Sequence, residues 1–554
     1  MARWRVLAAL LIISAGGLHL LYLARDCPLD LAPDEAHYWD WSRHLDWSYY
    51  SKGPLIAYLI RGGVVLFGSW SERLIGNEML AVRLPAVLCG GLLLISLYVL
   101  TVQVFRSEAQ ATAVVGFALT LPAVTVGASL MTIDAPYACC WGWALVLGYR
   151  AFGRRTTRAW FAVGLVIGLG ILAKYTMILW IGAFALFLAT NPYRRRILMD
   201  LGFWIMVGTA LACCLPIIIW NAQHEWVSFH HVGGQAGLTE SDRGIRWLGP
   251  IEYAGGQFLV LLGIWFVAWV WAMWAYRPQL GVRGQGSGVR GERTESVGDR
   301  AAGPGIEYLW WMSGPVFLLF WVFSLTTKVQ LNWPATAYLS GLVMTAAWAA
   351  DRLQMRPGWG RRFTAGWLTC GCILGISATL LIHHSEWMYP LVRPYTGHQA
   401  DQFSPPLRKI DPTCRLRGWQ TLAHEVDRIR SELRADGVEA ELAGTEWTMP
   451  GELAFYCQGH PQVYSFGLLV SDRHSQYDEW RPNPVADGKL FAGRTFIVIG
   501  EPGPVLTAGF AKVEAASIVT HFQNDQPVAR WKVTVCRGFR GIQRLEASAG
   551  GERY

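Results

Sequence analysis

Near its N-terminus the chain places two adjacent acids in a run of aromatic residues, Pro33-Asp34-Glu35-Ala36-His37-Tyr38-Trp39-Asp40-Trp41. A helix beginning at Pro33 lines up Asp34, Tyr38, Trp41 and Leu45 on one face, because residues three and four apart are neighbours on a helix. Taken alone, Asp34 is equally a cap on an amphipathic helix lying at a membrane surface. Two further charges add to it. Lys52 stands where the segment Tyr49-Tyr50-Ser51-Lys52-Gly53-Pro54 turns back, and Asp134 opens the run Asp134-Ala135-Pro136 after Met131-Thr132-Ile133. An ionisable side chain at a membrane boundary is costly and marks a functional candidate, although Asp134 also suits a helix N-cap. Two acids and a cation facing one outward cavity have the chemistry to take a proton and to hold an anion.

Lys174 interrupts an apolar run and finds no partner in the sequence itself. Trp220-Asn221-Ala222-Gln223-His224-Glu225-Trp226 and Thr327-Lys328-Val329-Gln330-Leu331-Asn332-Trp333-Pro334 mix rings with hydrogen-bonding groups. That mixture suits sugars, whose faces stack on rings while their hydroxyls take polar partners, though interfacial Trp belts produce it too. His224, His230 and His231 beside Glu225 match no strong metal-ligand spacing, so a metal is the minority reading. The absence of a Walker glycine loop, a Rossmann fingerprint and a GxSxG elbow argues against nucleotide-driven transport and serine hydrolysis.

The elements that must carry these residues are mostly apolar. With 554 residues, 53% hydrophobic and 16% charged, and a mean hydropathy of +0.26, the chain reads as a membrane protein. Its 29 Trp and 20 Tyr favour the two water interfaces of a bilayer. The net charge of +8 sits in loops and does not point to nucleic acid. Apolar runs begin at Val6, Leu84, Ala111, Ala135, Trp160, Ile197, Ile251, Ile306, Pro334 and Phe363. The run from Trp160 to Thr190 has Arg154, Arg155 and Arg158 before it and Arg194, Arg195 and Arg196 after it; a hairpin broken near Lys174 puts both clusters on one side. About eleven crossings result. A cytoplasmic N-terminus then gathers most loop Arg residues inside, with Val6–Leu23 read as an uncleaved first helix.

This topology divides the chain into a membrane domain over 1–383 and an extracytoplasmic α/β domain over 384–554. Residues 25–82 form an outside loop long enough to be functional, and the Gly-, Arg- and Ser-rich stretch 277–305 reads as a flexible cytoplasmic linker. In the outer domain, Leu422, Val426, Ile429 and Leu433 repeat at helical spacing from Trp419 to Gly437, and strands are expected at Val463–Phe466, Thr495–Ile499 and Trp531–Val535. Most of the eleven cysteines lie in apolar runs; Cys27, Cys414, Cys457 and Cys536 are the candidates for a disulfide, with no pairing legible.

The loop Asp34-Glu35-Ala36-His37-Tyr38-Trp39, continued by Trp47-Ser48-Tyr49-Tyr50-Ser51-Lys52-Gly53-Pro54-Leu55-Ile56-Ala57, resembles the first periplasmic loop of polytopic GT-C glycosyltransferases. The likeness is to the branch holding bacterial glycosyltransferase 39, aminoarabinose transferase-like and rhizobial core-sugar transferase-like proteins. Arg83-Leu84-Pro85, Asp134-Ala135-Pro136, Ala173-Lys174-Tyr175-Thr176, Trp220-Asn221, Asn332-Trp333-Pro334, Glu452-Leu453-Ala454-Phe455-Tyr456 and Ser475-Gln476-Tyr477-Asp478 follow in the expected order. Many relatives have Lys-Pro-Pro where this chain has Lys52-Gly53-Pro54.

The resemblance implies inverting transfer of a sugar from a polyprenyl-phosphate donor to a lipid A, polysaccharide or protein acceptor on the outer side of a bacterial inner membrane. It maps Asp34 to the catalytic carboxylate, with Glu35 and Asp134 orienting sugar hydroxyls. Lys52 maps to the donor phosphate, with Arg73 and Arg83 as further cations. His37, Tyr38, Tyr50, Asn221, Lys328, Asn332 and Trp333 are the sugar and acceptor candidates. No cofactor is required on this reading, a divalent cation being the lesser alternative. Membrane lipids, the sugar donor and an envelope acceptor are the expected partners, and a lipid-linked sugar flippase is the rival function.

Overall fold

The computed structural model describes residues 2–235, 244–278, 303–354, 358–396, 405 and 407–542. Most of the expected 277–305 linker, residues 279–302, lies outside them. The chain divides into two compact units: residues 1–22, 86–220 and 236–379 form the first, and residues 23–85, 221–235 and 380–554 form the second.

The first unit is helical. Among the described residues, four helical segments are long and apolar enough to cross a membrane: Ala2–Asp26, Met79–Phe105, Pro304–Phe323 and Trp359–His383. Two bent pairs raise that number to as many as six: Leu201–Cys213 with Leu215–Gln223 at 41°, and Gly249–Val260 with Ile264–Ala275 at 111°. These are fewer than the ten apolar runs, several of which are divided between helices by a break. The run from Ala111 is divided between helix Glu108–Leu119 and a short helix, Pro122–Gly127, that begins at Pro122. The run from Trp160 breaks at Lys174, whose extended backbone (φ −150°, ψ 123°) separates Thr157–Ala173 from a 3-10 turn and Ile178–Ala189.

Close approach of backbones holds these helices together, since apolar lipid provides no hydrophobic drive between them. A Cβ on Gly164 would lie 2.4 Å from the Met206 carbonyl oxygen, and one on Gly168 would lie 2.4 Å from Cys213 Cβ. Thr157–Ala173 and Leu201–Cys213 therefore pack through glycines.

The second unit carries a six-stranded sheet in the order β2-β1-β3-β6-β4, with β5 also paired to β6. The strands are β1 Ala440–Gly444, β2 Val463–Ser465, β3 Thr495–Ile499, β4 Phe510–Val513, β5 Ser517–Gln523 and β6 Gln526–Phe539. β1 runs parallel to β2 and β3, while β6 is antiparallel to β3, β4 and β5. All three expected strands are present, the third as part of the longer β6. Every residue of β3 is buried, as expected for a central strand covered on both faces, and Phe466, Phe491, Phe496, Phe510 and Phe539 fill the core on one side. The expected helix spans Trp419–Ala435, with Leu422, Val426, Ile429 and Leu433 buried. All eleven cysteines are free.

Helix Pro33–Arg43 is built into this same unit. Pro33 fits the first turn, where its missing N–H costs nothing, and Glu35 Oε2 accepts the Ala32 N–H at 2.9 Å. The expected amphipathic face differs from a membrane-surface stripe: Tyr38 and Trp41 are buried, Trp41 stacks on Tyr49 at 4.2 Å, and Leu45 lies beyond the helix end and is exposed. The helix packs against Met449–Tyr456 so closely that a Cβ on Gly451 would sit 2.8 Å from the Ala36 carbonyl carbon.

Candidate active site

In the second unit, Asp34 and Lys52 line one cavity. Helix Pro33–Arg43 supplies Asp34, His37 and Tyr38 to it, the returning loop supplies Tyr50, Ser51 and Lys52, and Arg473, His474 and Ser475 come from the outer sheet domain. His231 and Gln235, at the end of helix Val227–Gln235, complete it.

Each contributor is held from behind. The Tyr50 N–H donates to Gln476 Oε1 at 2.6 Å, and the Tyr50 ring stacks on His474 at 4.7 Å. Ser228 Oγ donates to the Tyr49 carbonyl at 2.9 Å, which ties helix Val227–Gln235 to the same loop. The Tyr49 N–H donates to the Lys52 carbonyl at 3.2 Å, closing the turn that presents the lysine. Gly53 and Pro54 follow that turn directly, before helix Leu55–Ile75. A second cavity adjoins through Tyr50, His231 and His474, and adds His224, Glu225, His230 and Glu479. Among the described residues, no three His, Cys, Asp or Glu side chains group closely enough to hold a metal ion.

The electrostatics follow from burial. Loss of solvent, and then the charge of Arg473, drive the His37 pKa down to about 3. His231 is lowered to about 3 by burial, then by Lys52 and Arg473. Both imidazoles are neutral at ordinary pH.

The other expected residues are distributed as follows. Glu35 and Arg83 are both fully buried and bonded to each other, Arg83 Nη2 donating to Glu35 Oε2 at 2.8 Å and to the Asp30 carbonyl at 2.7 Å. This pair fixes the N-terminal end of helix Pro33–Arg43, and neither member lines the cavity. Arg73 is exposed, its Nε on the Ser69 carbonyl. Asn221 is buried, and its Oδ1 accepts the Ser228 N–H at 3.1 Å, holding a turn.

Asp134, Lys328, Asn332 and Trp333 belong to the first unit. Asp134 begins helix Asp134–Arg154, and both of its oxygens are engaged. Lys174 Nζ lies 2.7 Å from Oδ1, and Asn332 Nδ2 donates to Oδ2 at 2.6 Å. Lys174, without a partner in the sequence reading, thus answers an acid forty positions earlier. The break at Lys174 is what frees its side chain from a continuous helix. An apolar cavity lined by Leu93, Leu97, Leu121, Val124 and Leu342 opens beside Asp134 and Asn332. Lys328 is exposed, and Trp333 packs on Phe320 at 5.8 Å.

Sequence reasoning missed Arg473 and His474, and took His231 only as a weak metal candidate. The motif Ser475-Gln476-Tyr477-Asp478 was the available signal, since it directly follows Arg473 and His474.

Comparison with known proteins agrees with this architecture. A family model for dolichyl-phosphate-mannose-protein mannosyltransferases matches residues 51–220. The chain is 30% identical over 319 residues to a lipid A galacturonosyltransferase, RgtD, of Rhizobium johnstonii, covering 58% of this chain and 60% of the relative. The crystal structure of apo ArnT from Cupriavidus metallidurans superposes with a TM-score of 0.54 at 16% identity, covering 96% of this chain and 98% of that one. The structure of the same protein bound to undecaprenyl phosphate gives 0.53 at 17% identity, with the same coverage. The chain thus has the fold of the ArnT structures, and it spans about 60% of the length of the curated relative it matches.

Proposed function

We propose that the protein transfers a sugar from a polyprenyl-phosphate donor to a lipid-A-type acceptor on the outer side of the bacterial inner membrane. The observation that carries this reading is the shared cavity of Asp34 and Lys52, one base and one cation on two segments clamped together. Its support from comparison is the undecaprenyl phosphate bound to the ArnT relative and the lipid A acceptor in the name of the RgtD relative.

In the proposed step Asp34 takes the proton of an acceptor hydroxyl. The hydroxyl oxygen bonds to the anomeric carbon as the bond from that carbon to the phosphate oxygen breaks, and polyprenyl phosphate leaves with the electron pair. Lys52 stabilises the charge that builds on the phosphate. A single displacement inverts the anomeric centre. His37, neutral and buried, and Tyr38 shape the wall beside Asp34 rather than exchange protons. Glu35 and Arg83 act one step back, by setting the helix that carries Asp34. We read the membrane part as crossing about eleven times with a cytoplasmic N-terminus, on the distribution of loop Arg residues.

The test is Asp34→Asn, which keeps shape and hydrogen bonding but removes the basic oxygen. Transfer should fall by a factor of ~10² to 10⁴ while affinity for the polyprenyl-phosphate donor is retained. Near-normal turnover in the folded variant would remove Asp34 as the base.

A further inference from the structure

A further cavity, of about 650 Å³, lies in the second unit, and the transfer step just described makes no use of it. Its volume is in the range that takes a small organic ligand. It opens at the carboxyl ends of the parallel strands β1 and β3, where Thr445 and Gly500 line it. From β1 the chain passes through helix Met449–Tyr456 to β2 on one side, and from β3 it passes to β4 on the other. Loops that leave neighbouring parallel strands in opposite directions open a crevice, and that crevice is where open α/β sheets bind ligands. A glycine keeps this one open. Gly500 adopts φ +102°, and a Cβ there would lie 2.0 Å from Thr445 Oγ1, so a side chain would displace that hydroxyl from the cavity wall.

The lining combines rings with both signs of charge. Trp419, Trp447 and Trp531 supply the rings. Trp419 Nε1 donates to the Arg415 carbonyl at 3.0 Å and its ring packs on Trp531 at 5.2 Å, so its polar edge is satisfied within the protein. The guanidinium groups of Arg408, Arg415 and Arg530 are matched in number by the carboxylates of Glu446, Asp472 and Glu501. A site that selects an anion carries surplus positive charge, which this lining does not. Several of these groups are held in place. Arg530 Nε donates to Thr520 Oγ1 at 3.1 Å, Asp472 Oδ2 accepts the Trp447 N–H at 2.6 Å, and Glu501 pairs with Lys532. Balanced donors and acceptors set among indole rings match a sugar, whose hydroxyls both donate and accept and whose ring faces are apolar. We propose that this cavity is a second, non-catalytic binding site, for a neutral oligosaccharide. It stands back to back with the transfer cavity. Pro33 and Asp472 line the one, Asp34 and Arg473 the other, and the Arg473 guanidinium lies 3.6 Å from the ring centroid of Trp447. A glycan held here is anchored beside the helix that carries Asp34 without occupying its cavity.

Isothermal titration calorimetry on the full-length protein in detergent tests this, with maltotriose, cellotriose, mannotriose and inorganic phosphate as probes. At least one of the neutral trisaccharides should bind, and more tightly than phosphate. Arg415→Gln and Glu446→Gln, both at exposed positions, should each weaken that binding by about tenfold, as expected for the loss of a hydrogen bond to a charged group. An unchanged Tm controls for folding. Saturating the protein with polyprenyl phosphate should leave trisaccharide binding intact. Displacement of the trisaccharide by polyprenyl phosphate would assign it to the transfer cavity and overturn the proposal. Tighter binding of phosphate than of every trisaccharide would make the cavity an anion site and overturn it as well. So would binding that neither substitution weakens, or a wild type that binds none of the three. Because no transfer is measured, the result does not depend on the roles of Asp34 and Lys52.

Discussion

His37 and His231 face Asp34's cavity without carrying charge, because removing their protonated forms from water costs more than the site returns. A folded pKa of about 3 against about 6.5 in the unfolded chain means that the unfolded chain binds more protons between those values. Stability then falls as the pH drops from about 6.5 toward 3. His37→Gln should flatten that acid limb by up to about 1.4 kcal/mol per pH unit within the window, measured by unfolding midpoints in detergent across pH. An unchanged limb would mean that His37 is charged in the folded protein. At Lys52 the expected effect is on binding: Lys52→Ala should weaken donor affinity by about ten- to a hundredfold and also slow turnover, since charge grows on the phosphate in the transition state. Of the site residues, Asp34 and Lys52 were legible because they break an aromatic and apolar context. Arg473 was not legible, because its place in the cavity depends on Trp447 beneath it and on helix Pro33–Arg43, hundreds of positions away.

Helix Pro33–Arg43 is positioned by buried charges rather than by apolar packing alone. Arg83→Met should cost about 3 to 5 kcal/mol by leaving Glu35 buried and unpaired, and should reduce transfer through misplacement of Asp34. Glu452, on the helix packed against it, has both carboxyl oxygens buried without a hydrogen-bond partner among the described residues. Burial, then the nearby Asp30 and Glu35, push its pKa well above the usual range, with Arg83 opposing them. For an acid raised in this way the stability is present below the unfolded pKa of about 4.3 and is lost as the pH rises toward the folded value. Glu452→Gln should therefore be more stable than the wild type near pH 8 and similar to it near pH 4. A pH-independent difference would contradict the buried neutral acid. The elements themselves were read unevenly from the sequence. Strand β3 and helix Trp419–Ala435 announced themselves by composition and period, and the break at Lys174 by its charge. The division of the run from Ala111 was not legible, because hydropathy counts apolar residues and does not see where Thr120 ends one helix and Pro122 begins the next.

At the scale of the whole molecule, the Arg distribution predicts that residues 384–554 face outward. A phosphatase fused after Tyr554 should be active, and activity of a cytoplasmic reporter in its place would reverse the orientation. Shortening the 277–305 segment should leave transfer intact, because its composition cannot bury a core; loss of transfer in a correctly inserted deletion would give that segment a role. The central claim is that the protein forms a covalent bond and does not move a lipid-linked sugar across the membrane. Purified protein in liposomes, supplied with polyprenyl phosphate carrying a labelled sugar and with lipid A, measures this directly. Label should appear covalently attached to lipid A with the wild type and not with Asp34→Asn. Label that crosses the bilayer still attached to its carrier, equally in both proteins, would contradict the account and favour a flippase.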